Sequence, residues 1–129
     1  VEDHIEALLK ISIDGKVGDK YCIGGSKEIT NLEIVEKICD KLDILKPANR
    51  SYKELINFVE DRPGHDFRYA IDSKKINKDI SWKANTNFES ALEKTILWYL
   101  NNQDWCKKVL KNSGYLGERI GQITIRGKP

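Results

Sequence analysis

One short run, Asp61-Arg62-Pro63-Gly64-His65-Asp66, gathers two carboxylates, a guanidinium and an imidazole around a Pro-Gly turn. A residue that precedes proline is held extended, so the spacing predicts an Arg62 side chain directed away from the turn. A planar guanidinium suits two-point contact with phosphate, and such charge-assisted bonds contribute about 1.5–3 kcal/mol each. Gly64 lets a ligand approach the backbone, and His65 can donate to a phosphate oxygen or a sugar hydroxyl. Arg68 adds to the same positive field. Composition alone leaves a second reading open, a polar surface turn in which Asp61, Arg62 and Asp66 pair only with one another.

Other residues carry weaker chemistry. Asn31 stands at the first position of a capped helix, where free N–H groups face whatever lies beyond that end. It is either a ligand contact or a tolerated first-turn polar residue. His4 beside Asp3 invites acid/base work, yet a histidine at a helix start is more often structural. Gly114, Gly117 and Gly121 have one residue too many in their second gap for a dinucleotide loop, and no predicted strand leads into them. No tyrosine is followed four residues later by lysine, the pair that activates a hydroxyl in many nicotinamide enzymes. Neither a nucleophile elbow nor a phosphate loop is present. The three cysteines form no C-x-x-C pair, and His4 and His65 lie in unrelated segments, so no metal site is expected. On these residues the chain binds better than it catalyses, and no catalytic residue is assigned.

The elements that must position these groups can be read from periodicity. Asp3 precedes Ile5, Leu8, Leu9 and Ile13 at helical spacing, which predicts a helix with Asp3 as N-cap, ended by Gly15 and Gly18. Lys20 to Ile23, Ile56 to Val59 and Arg68 to Ile71 read as short strands. Thr30-Asn31-Leu32-Glu33 is a capping box with Ile29 and Ile34 placed as a hydrophobic staple. Val35, Ile38, Cys39, Leu42 and Leu45 follow on one apolar face, and Pro47 comes after the end of that helix. Ser73 can cap a short helix carrying Ile76 and Ile80 towards Trp82. Thr86-Asn87-Phe88-Glu89 is a second capping box, and it opens a helix with Phe88, Ala91, Leu92, Ile96 and Tyr99 inward. All three tryptophans are expected in the core. Helices and short strands alternate, an α/β or α+β-like piece. Residues 1–105 form its ordered part, and 106–129 read as an irregular tail.

Length and charge narrow the class. With 129 residues, 33% charged, 40% hydrophobic and a net charge of +2, this is one soluble-type core. No apolar run approaches the ~20 residues of a membrane span. The basic residues are interspersed and carry no interleaved aromatic platform, so neither nucleic acid nor a membrane is an expected partner. An odd, unpaired cysteine set predicts a reducing, cytoplasmic setting. The chain holds no methionine and starts at Val1, which predicts a segment of something longer.

Taken in order, these pieces resemble one family. Val1-Glu2-Asp3-His4, Tyr21-Cys22-Ile23-Gly24-Gly25, Asn31-Leu32-Glu33-Ile34-Val35, the Asp61-to-Asp66 turn with Arg68-Tyr69-Ala70-Ile71-Asp72, Ser81-Trp82-Lys83, and Phe88-Glu89-Ser90 to Trp98-Tyr99-Leu100 look like the C-terminal third of a dTDP-glucose 4,6-dehydratase. That family belongs to the extended short-chain dehydrogenase/reductases. The likeness runs from residue 1 to about Trp105 and then drifts. It implies a small nucleotide-sugar-binding domain that closes over dTDP-glucose, with the NAD-binding Rossmann domain before Val1 and absent here. The family oxidises C4 of glucose by hydride transfer to NAD, eliminates water across C5 and C6, and returns the hydride to C6. That is a step of deoxysugar, typically rhamnose, biosynthesis. By resemblance Asn31, Asp61, Arg62, Pro63, Gly64 and His65 are substrate-binding positions, Arg62 and His65 facing the pyrophosphate and nucleoside. The intact form is expected to be a homodimer, and the fragment alone inactive and without NAD.

Overall fold

The structure is a computed structural model that describes residues 1–25, 27–61 and 63–114. Among the described residues five α-helices follow in order: α1 (Glu2–Asp14), α2 (Asn31–Leu45), α3 (Lys74–Ile80), α4 (Phe88–Asn101) and α5 (Gln103–Ser113). A 3-10 turn, Tyr52–Leu55, lies between α2 and α3.

The capping box of α2 forms as its sequence predicts. Thr30 Oγ1 accepts from the Glu33 amide, and the Glu33 carboxylate reaches back to the Thr30 amide at 2.8 Å. The other predicted caps shift by a residue or two. Helix α1 starts at Glu2 with Val1 as its cap position, and Asp3 instead accepts from the Thr86 amide at 3.0 Å. A carboxylate can cap its own helix or tie down a distant loop, and here the loop has it. Helix α4 is capped by Asn87, whose Oδ1 takes the amides of Glu89 and Ser90. Asn outranks Thr as a cap, and the box at Thr86 gives way. Ser73 makes no side-chain cap to α3; Asp72 Oδ1 accepts the Lys74 amide instead.

The three expected strands are not present among the described residues. A strand exists only as a member of a ladder, and these segments find no partner there. Tyr21 to Ile23 keeps its alternation, with Tyr21 and Ile23 half-buried and Cys22 exposed, but it packs onto helices. Phe58, Val59, Tyr69 and Ile71 stay largely exposed. The described architecture is therefore helical. Helix α5 is a second correction. Residues 106–113, expected to be irregular, continue it to a left-handed Gly114. The polar run Lys107-Lys108 hides a coherent apolar face of Trp105, Cys106, Val109 and Leu110. The remainder of that predicted tail, 115–129, lies outside the described residues.

Packing divides between two places. Ala7, Ile76, Ile80 and Trp82 are buried together, with Ile11, Tyr21, Ile23 and Ala84 around them. Helix α2 packs on α4 with Cys39 and Ile96 inside. Their rims are tied by Lys37–Glu89 and Lys41–Glu93, each 2.8 Å. Burial, reinforced by the Asp43 and Asp40 carboxylates, pushes the Cys39 thiol up, as suits an unreactive core residue. Tyr99 faces out, contrary to the periodicity, as do Trp98 and Trp105. Those two indoles meet edge to face at 5.3 Å, which covers part of each without a core.

Candidate functional site

The polar turn is built between the 3-10 turn and α3. Asp43 sits near the end of α2 and accepts from Ser51 Oγ at 2.6 Å and the Tyr52 amide at 2.9 Å. Those bonds, the Ser51 hydroxyl first, hold the Asp43 carboxyl below the usual carboxylate range. They fix where the chain leaves α2. Beyond Ile56, residues 57–61 form no regular element, and Gly64 turns with φ +69°. That left-handed value is why glycine stands there.

Asp61 and His65 come together across the turn. His65 Nδ1 lies 2.7 Å from Asp61 Oδ1. With Nδ1–H donated to the carboxylate, Nε2 is the ring atom left to meet a ligand. A ring nitrogen so placed can accept a hydrogen bond in a neutral ring and donate one in a charged ring. The Tyr69 ring lies 6.4 Å from the imidazole and is largely exposed. Pro63 is exposed in the same turn. Arg62 lies outside the described residues.

Asn31 occupies the first position of α2 and is exposed. Its link to the turn comes through its neighbours. Arg68 donates from Nε to Glu28 Oε2 at 3.0 Å, with a second bond from the same guanidinium. Glu28 lies three positions before Asn31, and Arg68 three positions after His65. The pair thus draws the start of α2 and the turn to one end of the molecule. It also corrects one expectation: Arg68 is neutralised by Glu28 and adds little to a positive field. Sequence reasoning missed Glu28 and Tyr69. No local pattern marks a pair forty residues apart in the chain.

Two clefts adjoin this end. The smaller, about 290 Å³, is floored by Gly24 and Gly25 and walled by Ile29, Ile34, Tyr69 and Phe88. The larger, about 560 Å³, continues past Lys27 to Asp3, His4 and Trp82. Gly24 sits where a Cβ would come within 3.1 Å of Ile71 Cβ and Cγ2, so the two loops touch backbone to side chain. Among the described residues, no cluster of three or more His, Cys, Asp or Glu could hold a metal ion. No helix there is long and apolar enough to cross a membrane.

The family model for GDP-mannose 4,6 dehydratase matches residues 1–95. The chain belongs to that family. Among curated proteins it is similar to a probable dTDP-glucose 4,6-dehydratase of Sinorhizobium fredii, 46% identical over 123 residues that make up 95% of this chain and 35% of that one. The dTDP-glucose 4,6-dehydratase 1 of Escherichia coli K12 is 48% identical over 115 residues, 89% of this chain and 32% of that enzyme. A crystal structure of the Bacillus anthracis dTDP-glucose 4,6-dehydratase in complex with NAD superimposes with a TM-score of 0.70. It is 38% identical, over 81% of this chain and 30% of that one. The chain therefore spans about a third of the length of the relatives it matches. Matches over 95% of the chain also extend the family likeness past Trp105, where the sequence reading had it drift.

Proposed function

We propose that this chain supplies the sugar-nucleotide-binding part of a dTDP-glucose 4,6-dehydratase, acting in the conversion of dTDP-glucose to the dTDP-4-keto-6-deoxy sugar. The observation that carries the reading is identity of 46–50% to dTDP-glucose 4,6-dehydratases across most of the chain. The turn supports it. Asp61 orients His65, Gly64 opens the backbone, and Arg62 brings a guanidinium suited to pyrophosphate. Asn31 brings an amide that can bond a sugar or nucleoside oxygen.

On this reading NAD is not held by the described residues of this chain. At the start of α2 Thr30 Oγ1 takes the Glu33 amide, and the Glu33 carboxylate is turned back onto the Thr30 amide. At α4 Asn87 takes the amides of Glu89 and Ser90. Without a Tyr-x-x-x-Lys pair there is no hydroxyl activated for hydride chemistry, so this chain's part is binding and orientation. In the proposed intact enzyme the cofactor belongs to a separate domain, the protein is a cytoplasmic homodimer, and its partner is dTDP-glucose.

Calorimetric titration of a full-length form tests the reading. Arg62→Ala should weaken dTDP-glucose binding by about 1.5–3 kcal/mol, the loss of a charged phosphate contact, and leave NAD affinity unchanged. Unchanged substrate affinity would return Arg62 to a surface ion pair. The 129-residue chain alone should not turn over dTDP-glucose, and turnover would overturn the division of labour. Tighter binding of a GDP or UDP sugar would reassign the enzyme within its family, whose name carries GDP-mannose.

A further inference from the structure

The Glu28 carboxylate stands close to a place where an anion is meant to bind. It lies three positions before Asn31, and on the function proposed above that residue meets a ligand with an anionic pyrophosphate. A like charge so near repels such a ligand unless it is occupied. Arg68 occupies it: its Nε and Nη2 both donate to Glu28 Oε2. The pair contributes little to stability, because its side chains are 67% and 57% exposed and solvent screens them. Its effect is positional. A guanidinium that donates through two nitrogens fixes an orientation as well as a distance. The apolar residues lining the small cleft, Ile29, Ile34, Tyr69 and Ile71, attract without setting a direction.

Glu28 is braced on the α2 side. Lys27, the residue before it, lies 5.0 Å over the Phe88 ring and 3.5 Å from the Glu89 carboxylate. The Thr30–Glu33 capping box holds the chain just after it. With Glu28 fixed, Arg68 must come to it, and the turn follows Arg68. Three residues reach at most about 10 Å, so Asn31 and His65 are each tethered within that distance of the pair's backbone.

We propose that Glu28 and Arg68 are positioning residues of the sugar-nucleotide site: their ion pair sets the spacing between Asn31 and the Asp61–His65 turn, so that both meet one ligand. The proposal deepens the function given above and rests on it for the identity of the ligand. It reverses the simple electrostatic expectation. Were Arg68 a ligand cation that Glu28 merely masks, removing the Glu28 charge would strengthen binding. In a positioning pair the loss of either member weakens it.

Calorimetric titration of dTDP-glucose into a full-length form reads that sign. Glu28→Gln and Arg68→Gln should each weaken binding about tenfold, and the double variant should be no weaker than either single one. Melting temperatures should stay within about 2 °C of the parent, as suits an exposed pair, and a larger fall would make it a structural tie and overturn the proposal. Tighter binding by Glu28→Gln would overturn it, as would losses that multiply in the double variant. A second measurement is independent of the ligand. In NMR spectra of the 129-residue chain, Arg68→Gln should shift the Asn31 side-chain amide, and Glu28→Gln should shift the His65 ring. Signals that do not move across the pair would also overturn the proposal. Shifts across the pair, in a protein whose full-length form binds no dTDP-glucose, would keep the spacing role and sink the functional reading instead.

Discussion

Two adjacent glycines give opposite answers to the same substitution. At Gly24 a new Cβ would lie 3.1 Å from Ile71 Cβ and Cγ2, and at Gly25 it would meet nothing within 4 Å. Neither residue has a positive φ, so Ala is conformationally tolerated at both. Each Gly→Ala change gains about 0.4–1 kcal/mol by restricting the unfolded chain. Gly24→Ala must also push Ile71 away, and because Ile71 Cβ is fixed to the backbone, the 68–71 loop must move with it. Overpacking of that kind costs about 1–3 kcal/mol. The unfolded-state gain cancels between the two variants, so their difference isolates the steric term. For a chain of this size it corresponds to about 4–12 °C in melting temperature, Gly24→Ala being the lower. Thermal unfolding followed by circular dichroism reads it directly. Ile71→Ala removes Cγ2, so Gly24→Ala made on that background should cost less. Melting temperatures for Gly24→Ala and Gly25→Ala within about 1 °C of each other would refute the close approach, and with it the placement of the turn beside Gly24.

Thr30→Ala should destabilise the chain by about 1 kcal/mol through loss of the α2 cap, measured by urea denaturation at neutral pH. The Thr30 amide, then its hydroxyl, hold Glu33 below the usual carboxylate range, so the unfolded chain takes up the proton first as the solution is acidified. The capping contribution is therefore full above the ordinary glutamate range and is lost as pH falls through Glu33's own lowered value. The gap between Thr30→Ala and the parent should narrow in acid, and a gap that widens would contradict the assignment. Ile76→Ala, at a fully buried position, should cost about 2–5 kcal/mol in the same denaturation assay. Because Lys37–Glu89 and Lys41–Glu93 lie on partly exposed rims, raising salt from 0.1 to 1 M should lower the melting temperature slightly, and less so in a Lys41→Gln variant.

What the sequence made legible was local. The capping box at Thr30 and the apolar periods of α2 and α4 depend on residues three or four apart, and they place both helices to within a residue or two. Asp3 and Thr86 misled because each had two uses, a cap or a contact with the other, and only the assembled chain decides between them. The strands failed for a deeper reason. Alternation of Tyr21, Cys22 and Ile23 records which side is buried, not whether the burying surface is a sheet or a helix. Helix α5 was hidden by its lysines, although its apolar residues keep helical spacing. In the site, the turn itself was readable from Pro63-Gly64, whereas the Asp61–His65 bond and the Glu28–Arg68 pair that brings Asn31 towards it were not.

The ion pairs between α2 and α4 carry a topological consequence. Lys37 to Glu89 and Lys41 to Glu93 advance by four residues on both helices, so the two helices run parallel. Parallel neighbours cannot be joined by a short hairpin. The chain must come back along α2 from Leu45 to the level of Glu36, about 14 Å, before α4 can begin. Asp43 anchors the outward end of that return, and Glu28 fastens Arg68 at the arriving end. The polar turn thus lies on the returning part of the chain, between the Asp43 anchor and the Arg68–Glu28 pair.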